Sequence, residues 1–178
     1  ASTFDAALRG VAFDPKVVER DRNQNEFSKT IWDYLDTAVS EDRVALGLKA
    51  IARNRALLER IEAEYGVEKE VVAAVWGLES AYGTYRGDLP VLGSLATLAY
   101  EGRRGAFFEK ELIAALKIVQ GGHVERFDGS WAGASGHTQF MPSSWERFAV
   151  DFDGDGKKNL WGDDPADALA STANYLRY

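Results

Sequence analysis

The segment Val71–Gly83, with the sequence VVAAVWGLESAYG, constrains the fold of this chain more than any other stretch. It is apolar until it reaches one acid, Glu79, which follows Val72, Val75 and Trp76 by seven, four and three residues. In an α-helix those offsets share one face. The pattern therefore predicts a helix that packs inward and carries a single carboxylate on its apolar side.

A carboxylate held among apolar side chains disfavours its charged form, so the pKa of Glu79 is expected to be raised. A carboxylic acid that stays protonated near neutral pH can act as a general acid. The same pattern suits a glutamate at the core edge that bonds to a backbone group or an arginine. Asp88 and Glu101 are the nearest downstream acids that could partner Glu79, and neither lies in a pattern that fixes it opposite.

Composition and charge exclude several classes of protein. Lys+Arg 21 against Asp+Glu 28 gives a formal net charge of −7 with no basic run, which argues against nucleic acid as a partner. No apolar run approaches the length of a transmembrane helix. The absence of cysteine excludes disulfides, thiolate metal sites and cysteine nucleophiles. A chain of 178 residues with 46% hydrophobic content can form one domain with a real core.

Helical patterns follow one another along the chain, and no strand alternation is convincing, so the predicted class is all-α with long loops. The predicted helices are a short one near Thr3–Arg9, then Ser28–Val39, a long helix from the cap at Ser40 to Gly66, the Glu79 segment, Val91–Tyr100, Ala106–Gln120, one from Pro142, and one from Pro165 to Tyr178. The segment around Pro15 is expected to be broken surface chain.

An acidic loop, DFDGDGKKN at 151–159, copies the first half of an EF-hand calcium loop. Asp151, Asp153 and Asp155 fall at positions one, three and five, and Lys157 offers a backbone carbonyl at position seven. Three carboxylates this close repel one another unless a cation lies between them. The loop therefore predicts one structural Ca²⁺ site, and the alternative is an Asx-turn loop without an ion.

The second half of this loop departs from the EF-hand pattern. Position twelve is Gly162 instead of glutamate, so a closing carboxylate must come from Asp163, Asp164 or Asp167. Nothing in the pattern indicates a sensor that opens on binding, and the loop is expected to be pinned by its ion.

A glycine-rich stretch, Gly133–Pro142, predicts a loop whose backbone closely approaches another group, and Gln139 offers both a donor and an acceptor. Tight packing of helices explains the same glycines, so the stretch alone assigns no function. The only histidines, His123 and His137, are expected to be surface or loop residues, because no transition-metal motif contains them.

Four motifs occur in a fixed order: LESAYG at 78–83, WAGASGHTQFMPSS at 131–144, the acidic loop, and ANY at 173–175. Together they resemble the type B lytic transglycosylases, which are bacterial murein-cleaving enzymes with a lysozyme-like core. The similarity runs from about Trp32 to the last residue, and the string QFMPSS is highly specific.

This resemblance implies a single lysozyme-like catalytic domain over 1–178, with a helical lobe at about 1–66 and a core at about 67–178. Family members continue beyond the position that matches Tyr178. The implied activity is cleavage of the MurNAc–GlcNAc β-1,4 bond of peptidoglycan, which leaves 1,6-anhydro-MurNAc ends. The implied setting is the periplasm or cell envelope of a Gram-negative bacterium, with the protein as a monomer. The alternative is a lysozyme-like module that binds murein without cutting it, since Ser135 stands where methionine is usual.

The resemblance also carries roles over to particular residues. Glu79 matches the sole catalytic acid/base, Ser130 and Gln139 match polar residues of the cleft, and Tyr175 and Tyr34 match aromatics that border it. The remaining matches are an arginine pair that meets the acidic peptide of murein, Arg103 and Arg104, and the calcium ligands Asp151, Asp153, Asp155, the Lys157 carbonyl and Asp167. The acidic loop is two residues longer before Asp167 than in the family. The resemblance implies no organic cofactor.

Overall fold

The computed structural model describes residues 2–23 and 30–178. Within these ranges it contains ten helices and one ribbon of two short strands: α1 Ser2–Ala7, α2 Pro15–Arg22, α3 Ile31–Ala38, α4 Glu41–Arg53, α5 Arg55–Tyr65, α6 Lys69–Ser80, β1 Leu89–Pro90, α7 Val91–Glu101, α8 Gly105–Gln120, β2 Asp128–Gly129, α9 Pro142–Phe148 and α10 Ala166–Leu176. The all-α prediction is confirmed. None of the described helices is both long and apolar enough to cross a membrane.

Several helix boundaries differ from the prediction for local reasons. Pro15 begins α2 instead of breaking the chain, because proline suits the first helical position and Asp14 caps the helix. The predicted long helix is divided at Asn54 into α4 and α5. Its ends are confirmed: the Ser40 hydroxyl accepts a backbone N–H at 3.4 Å, and Gly66 ends α5 with a φ of 71°.

Helix α3 is amphipathic in sequence but packs only weakly against the rest of the described chain. A capping box between Thr30 and Asp33 begins it, and none of its residues is buried. Trp32 is 72% exposed and Tyr34 is 52% exposed. Ser28, where the predicted helix started, lies outside the described residues.

The hydrophobic core consists of three clusters that share helices. In the first, α5, α6 and α10 pack together, so residues on both sides of Gly66 contribute to one core. Helix α8 contributes to both the second and the third cluster. It packs against α9 in the second cluster and against α2 and α7 in the third. Representative buried side chains are Leu58, Ile61, Val72, Trp76 and Leu169 in the first cluster, Ile118, Trp145 and Leu160 in the second, and Val17, Leu95 and Phe108 in the third.

A buried glutamate on α8 fixes the start of α9. Glu111 is only 2% exposed, and its carboxylate accepts two hydrogen bonds from Ser143, one from the hydroxyl at 2.6 Å and one from the backbone N–H at 2.9 Å. An anionic group satisfies the free N–H groups of a first helical turn and interacts favourably with its dipole. The contact therefore anchors the end of the glycine-rich stretch at Pro142, where the predicted helix start is confirmed.

The two strands form a small antiparallel ribbon, in which Leu89 pairs with Gly129. The ribbon extends through isolated bridges from Gly129 to Ser135 and from Ser135 to Phe140. Gly87 packs so closely on this ribbon that a Cβ atom there would lie 2.2 Å from the backbone of Gly129. The glycine-rich stretch is therefore folded back on itself beside the end of α6.

Candidate active site

Helix α6 presents Glu79 at the flank of its buried face. Val72, Trp76 and Ser80 are buried, whereas the Glu79 side chain is exposed. The prediction that the Glu79 carboxylate lies among the buried residues of α6 is therefore wrong. The buried face runs through Ala73, Gly77 and Ser80 on the side of Trp76 that is turned away from Glu79, so Glu79 lies at its edge.

The Glu79 carboxyl is nevertheless partly desolvated. The protein around it removes part of its hydration, and this desolvation raises its pKa above the ordinary value for glutamate. In the part of the chain that the structure describes, the carboxyl has no hydrogen-bond or ion-pair partner. The open alternative, a glutamate bonded to a backbone group or an arginine, is not what the structure shows.

The chain reverses sharply directly after α6. Three successive residues have positive φ: Ala81 at 48°, Tyr82 at 60° and Gly83 at 83°. This conformation is costly for residues other than glycine and persists only where the surroundings enforce it. Here it folds the Tyr82 ring back between α4 and α6, where a Cβ atom on Gly77 would lie 2.5 Å from the ring carbon Cζ and one on Gly47 would lie 2.5 Å from the hydroxyl oxygen. The two glycines thus make room for the reversal that ends the Glu79 turn.

A second set of contacts fastens α6 to His137, which is buried at 5% exposure. His137 lies in a loop, which was one of the two expected positions, but it is buried and not at the surface. The Ser80 hydroxyl donates to the His137 carbonyl at 2.5 Å, and the Trp76 indole N–H donates to His137 Nδ1 at 3.2 Å. On the other side of the ring, Nε2 lies 2.7 Å from the carbonyl oxygen of Gly162. His123, in contrast, is partly exposed and accepts a backbone N–H through Nδ1.

Arg86 completes this cluster and was not singled out by the sequence. Its Nη1 donates to the carbonyls of Trp161 at 2.6 Å and Gly162 at 2.7 Å, and lies 3.4 Å from His137 Nε2. Burial lowers the pKa of His137 below 6.5, and the positive charge of Arg86 lowers it further. The hydrogen bond to the Gly162 carbonyl opposes this shift, but the net direction of the pKa favours the neutral imidazole.

Gln139 lies on the opposite side of the same cluster. Its side-chain amide donates to the carbonyls of Arg86 at 3.1 Å and Gly136 at 3.0 Å. Its φ of 50° is positive, so the backbone is constrained here as it is after α6. The contacts connect Gln139 to the loop that follows Glu79, and its assignment as a cleft residue stays a prediction.

Ser130 and Tyr175 are connected to the glycine-rich stretch in different ways. Ser130 directly follows β2, and Tyr175, at the end of α10, contacts Phe140. The Ser130 hydroxyl accepts backbone N–H groups from Ala132 at 3.3 Å and Ala134 at 3.1 Å, so it shapes a tight turn. The Tyr175 ring is 48% exposed and lies edge-on to Phe140 with ring centroids 6.0 Å apart. One face of an aromatic ring is thus available at the end of α10.

The remaining substrate residues from the resemblance are placed differently. Tyr34 lies on α3, apart from the His137 cluster. Arg103 and Arg104 both bind the carboxylate of Asp21, a residue of α2 that is 3% exposed, and Arg104 does so at 2.7 Å. Burial alone would raise the pKa of Asp21, but the two guanidinium groups hold it below its ordinary value. About half of each arginine side chain is still exposed.

The two acids that could have partnered Glu79 have other surroundings. Glu101 forms an ion pair with Arg22 at 2.5 Å, and this bond lowers its pKa. Asp88 is exposed and lines a polar cavity of about 340 Å³ together with Arg86 and Trp161. Neither forms a carboxylate pair with Glu79.

The acidic loop brings its three aspartates together. Carboxylate oxygens of Asp151, Asp153 and Asp155 lie within 4.8 Å of one another, and all three residues are exposed. Asp151 also accepts the backbone N–H groups of Gly154 at 2.8 Å and Gly156 at 2.9 Å. Clustered oxygen ligands on a pre-shaped loop suit a hard cation such as Ca²⁺.

Asp167 lies outside this group of three among the described residues. Its carboxylate accepts backbone N–H groups from Phe152 at 2.7 Å and Asn159 at 2.8 Å, so it ties the two halves of the loop to α10. Burial raises its pKa, and these backbone bonds oppose the rise. The assignment of Asp167 and of the Lys157 carbonyl as ligands stays a prediction.

Comparison with known proteins gives a consistent family. The family model for a transglycosylase SLT domain matches residues 1–178. The chain is 37% identical over 147 residues to membrane-bound lytic murein transglycosylase B of Escherichia coli strain K12, a match that covers 81% of this chain and 40% of that protein.

Solved structures give the same result. SltB3 from Pseudomonas aeruginosa, crystallised with NAG-NAM-pentapeptide, has a TM-score of 0.95 at 52% identity over 99% of this chain and 48% of its own. The E. coli lytic transglycosylase Slt35 in complex with calcium has a TM-score of 0.88 at 33% identity over 99% of this chain and 56% of its own. The predicted lysozyme-like transglycosylase fold is confirmed, and the chain spans about half the length of these relatives.

The buried neutral His137 predicts a specific pH dependence of stability. The unfolded chain binds a proton at this histidine near pH 6.5, whereas the folded chain binds it only at lower pH. The free energy of unfolding should therefore fall as the pH drops below about 6.5. Burial and Arg86 oppose protonation of the ring, whereas the hydrogen bond to the Gly162 carbonyl and the charges of Asp163 and Asp164 favour it.

Urea unfolding of the wild type and of His137→Gln, between about pH 7.5 and about pH 5.5, measures this dependence. The wild type should lose more stability over that interval than the variant, since the variant has no imidazole to protonate. Equal losses would show that His137 does not titrate differently in the folded state.

Proposed function

Because the chain belongs to the transglycosylase SLT domain family, we propose that it is a lytic transglycosylase of peptidoglycan. It cleaves the β-1,4 bond between MurNAc and GlcNAc and leaves 1,6-anhydro-MurNAc ends, with Glu79 as its single acid/base. The relatives that support this proposal are named lytic transglycosylases, and this chain spans about half their length.

The observation that carries the proposal is the state of the Glu79 carboxyl. It has no hydrogen-bond or ion-pair partner among the described residues, and desolvation raises its pKa. A raised pKa keeps a larger fraction of the group protonated near neutral pH, as general-acid catalysis requires. An unpaired carboxyl can also change its protonation state without breaking a salt bridge.

A single acid is sufficient if the substrate supplies the nucleophile. Glycosidases usually employ two carboxylates, and no second one is paired with Glu79 in the described chain. In the proposed reaction the 2-acetamido oxygen of MurNAc attacks C1 while Glu79 protonates the departing glycosidic oxygen. The Glu79 carboxylate then removes the proton of the 6-hydroxyl, whose oxygen attacks C1 and displaces the acetamido oxygen. This closes the 1,6-anhydro ring without consuming water.

The same proposal assigns substrate contacts. Gln139 and Ser130 hold the glycan near the cleaved bond, and the half-exposed ring of Tyr175 borders a sugar face. Tyr34 provides a further aromatic contact from α3. Arg103 and Arg104 meet the acidic stem peptide with the exposed part of their guanidinium groups, which Asp21 holds in place.

We assign the acidic loop as a single structural Ca²⁺ site, with Asp151, Asp153, Asp155, the Lys157 carbonyl and Asp167 as ligands. The clustered carboxylates support this assignment, and so does the calcium complex of Slt35. The ion neutralises the repulsion within the loop and stabilises the fold, and the chemistry is left to Glu79. The periplasm is the proposed location, because peptidoglycan lies there in the two bacteria from which the three relatives come. The proposed active form is a monomer.

Replacing Glu79 by glutamine tests the catalytic assignment. Glutamine keeps the shape of the side chain but cannot donate a proton, so turnover should fall by at least about 10²-fold. Purified sacculi are incubated with each protein, and anhydro-ended fragments are measured by mass spectrometry. Glu70→Gln, on the exposed first turn of α6, is the matched control and should keep full activity.

Retained turnover in Glu79→Gln would remove Glu79 from the mechanism. Failure of the wild type to release fragments, together with sedimentation alongside the sacculi, would favour the murein-binding module instead.

Calcium should raise the melting temperature without being consumed in the reaction. At an ion concentration about a hundredfold above Kd, mass action adds about 2.7 kcal/mol, or roughly 5–10 °C for a chain of this size. Calorimetry with Ca²⁺ and then with a chelator measures the shift. Asp153→Asn should lose most of it, and Asp5→Asn on α1 should keep it. A melting curve that chelation leaves unchanged would contradict the site.

A further inference from the structure

We propose that His137 is a positioning residue for Glu79. The neutral imidazole ring of His137 connects the last turn of α6 to the far end of the acidic loop. The inference rests on the proposed function, because it assumes that Glu79 is the acid that must be held in place. Its support is the hydrogen bonding of the ring, the backbone contacts of the same residue, and the space around it.

The ring bonds to Trp76 and Gly162 together permit only one protonation state, and the third polar contact, Arg86 Nη1 at 3.4 Å from Nε2, comes from a nitrogen that donates to the Gly162 carbonyl. The Trp76 indole N–H can only donate, so His137 Nδ1 must accept, at 3.2 Å. The Gly162 carbonyl can only accept, so Nε2 must carry the hydrogen, at 2.7 Å. Both bonds are satisfied together only by the neutral ring protonated at Nε2. An imidazolium or the other tautomer would break the bond to Trp76.

The backbone of His137 makes the same connection a second time. Its carbonyl accepts from the Ser80 hydroxyl at 2.5 Å, and its N–H donates to the Leu160 carbonyl at 3.0 Å. One residue therefore grips α6 at Trp76 and Ser80, which lie three residues before and one residue after Glu79. The Glu79 side chain has no partner of its own among the described residues, so the direction of its carboxyl depends on how this turn is held.

The packing around the ring leaves little room for adjustment. A Cβ atom on Gly83 would lie 2.5 Å from His137 Nδ1, so the chain after α6 passes directly against the ring. Arg86 covers the other nitrogen and shares the Gly162 carbonyl, to which its Nη1 donates at 2.7 Å. A side chain of different hydrogen-bonding capacity would therefore leave Trp76 or Gly162 without its bond.

Three substitutions at position 137 separate the two bonds. Phenylalanine keeps a ring and loses both bonds. The amide of asparagine reaches about as far as Nδ1 and can still accept from Trp76, and the amide of glutamine reaches about as far as Nε2 and can still donate to Gly162. A small misplacement of a catalytic group costs up to about 10²-fold in rate, so His137→Phe should lower kcat about tenfold or more with KM nearly unchanged.

The assay uses soluble muropeptide oligomers and the whole chain with excess Ca²⁺, at a temperature where circular dichroism shows each variant folded. His137→Asn or His137→Gln should recover part of the kcat lost in His137→Phe. His123→Phe is the matched control: His123 also bonds to the acidic loop, at the Lys158 N–H, but has no hydrogen bond to α6 within the described chain. It should keep the wild-type kcat.

Nitrogen-15 spectra supply a readout that does not depend on turnover. They should show His137 protonated at Nε2 and bare at Nδ1 near neutral pH, and the Glu79 and Ser80 amide signals should move in His137→Phe. The proposal is overturned if kcat of His137→Phe stays near wild type, if neither amide variant recovers activity, or if Nδ1 carries the proton. If only the proposed function fails, Glu79→Gln keeps its turnover while these spectra remain as expected.

Discussion

The hydrogen bonds that hold the last turn of α6 are the constraint on which the candidate site depends. Trp76 and Ser80 bind His137, and the reversal at Tyr82 wedges a ring beneath the same turn. Each of these side chains is engaged within the fold, whereas the Glu79 carboxyl has no such partner in the described chain. A reactive group that is itself unbound but stands on a fixed backbone is preorganised for proton transfer.

The features that local sequence controls could be predicted. The cap at Ser40, the left-handed residue at Gly66 and the helix start at Pro142 depend on the chemistry of one or two residues, and all three are observed. The direction of Glu79 was predicted less well. Its spacing from Trp76 indicated the buried face, but that face also includes Ala73 and Gly77 on the far side of Trp76, and Glu79 lies at its edge.

Contacts between distant residues could not be predicted from one sequence. Trp76 and His137 are 61 residues apart, and Arg103 binds Asp21 across 82 residues. A lone histidine in a glycine-rich loop has no periodicity that indicates burial, so His137 was expected to be a surface or loop residue and its burial was not predicted. Gly83, three residues after the end of α6, was the available signal, since glycine permits a close approach of the backbone to another group. The arginine pair was expected to be free for substrate, and its buried aspartate lay in a segment without periodicity.

Measuring the pKa of Glu79 tests its proposed role as the catalytic acid most directly. A carboxyl that has no partner and is partly desolvated loses its proton at a higher pH than an ordinary glutamate. Carbon-13 spectra of the side-chain carboxyl, assigned by comparison with Glu79→Gln, would follow its titration. The account predicts a pKa above 4.5. A value at or below 4.5 would show that Glu79 is well solvated or paired in solution, and it would contradict the role proposed for this residue.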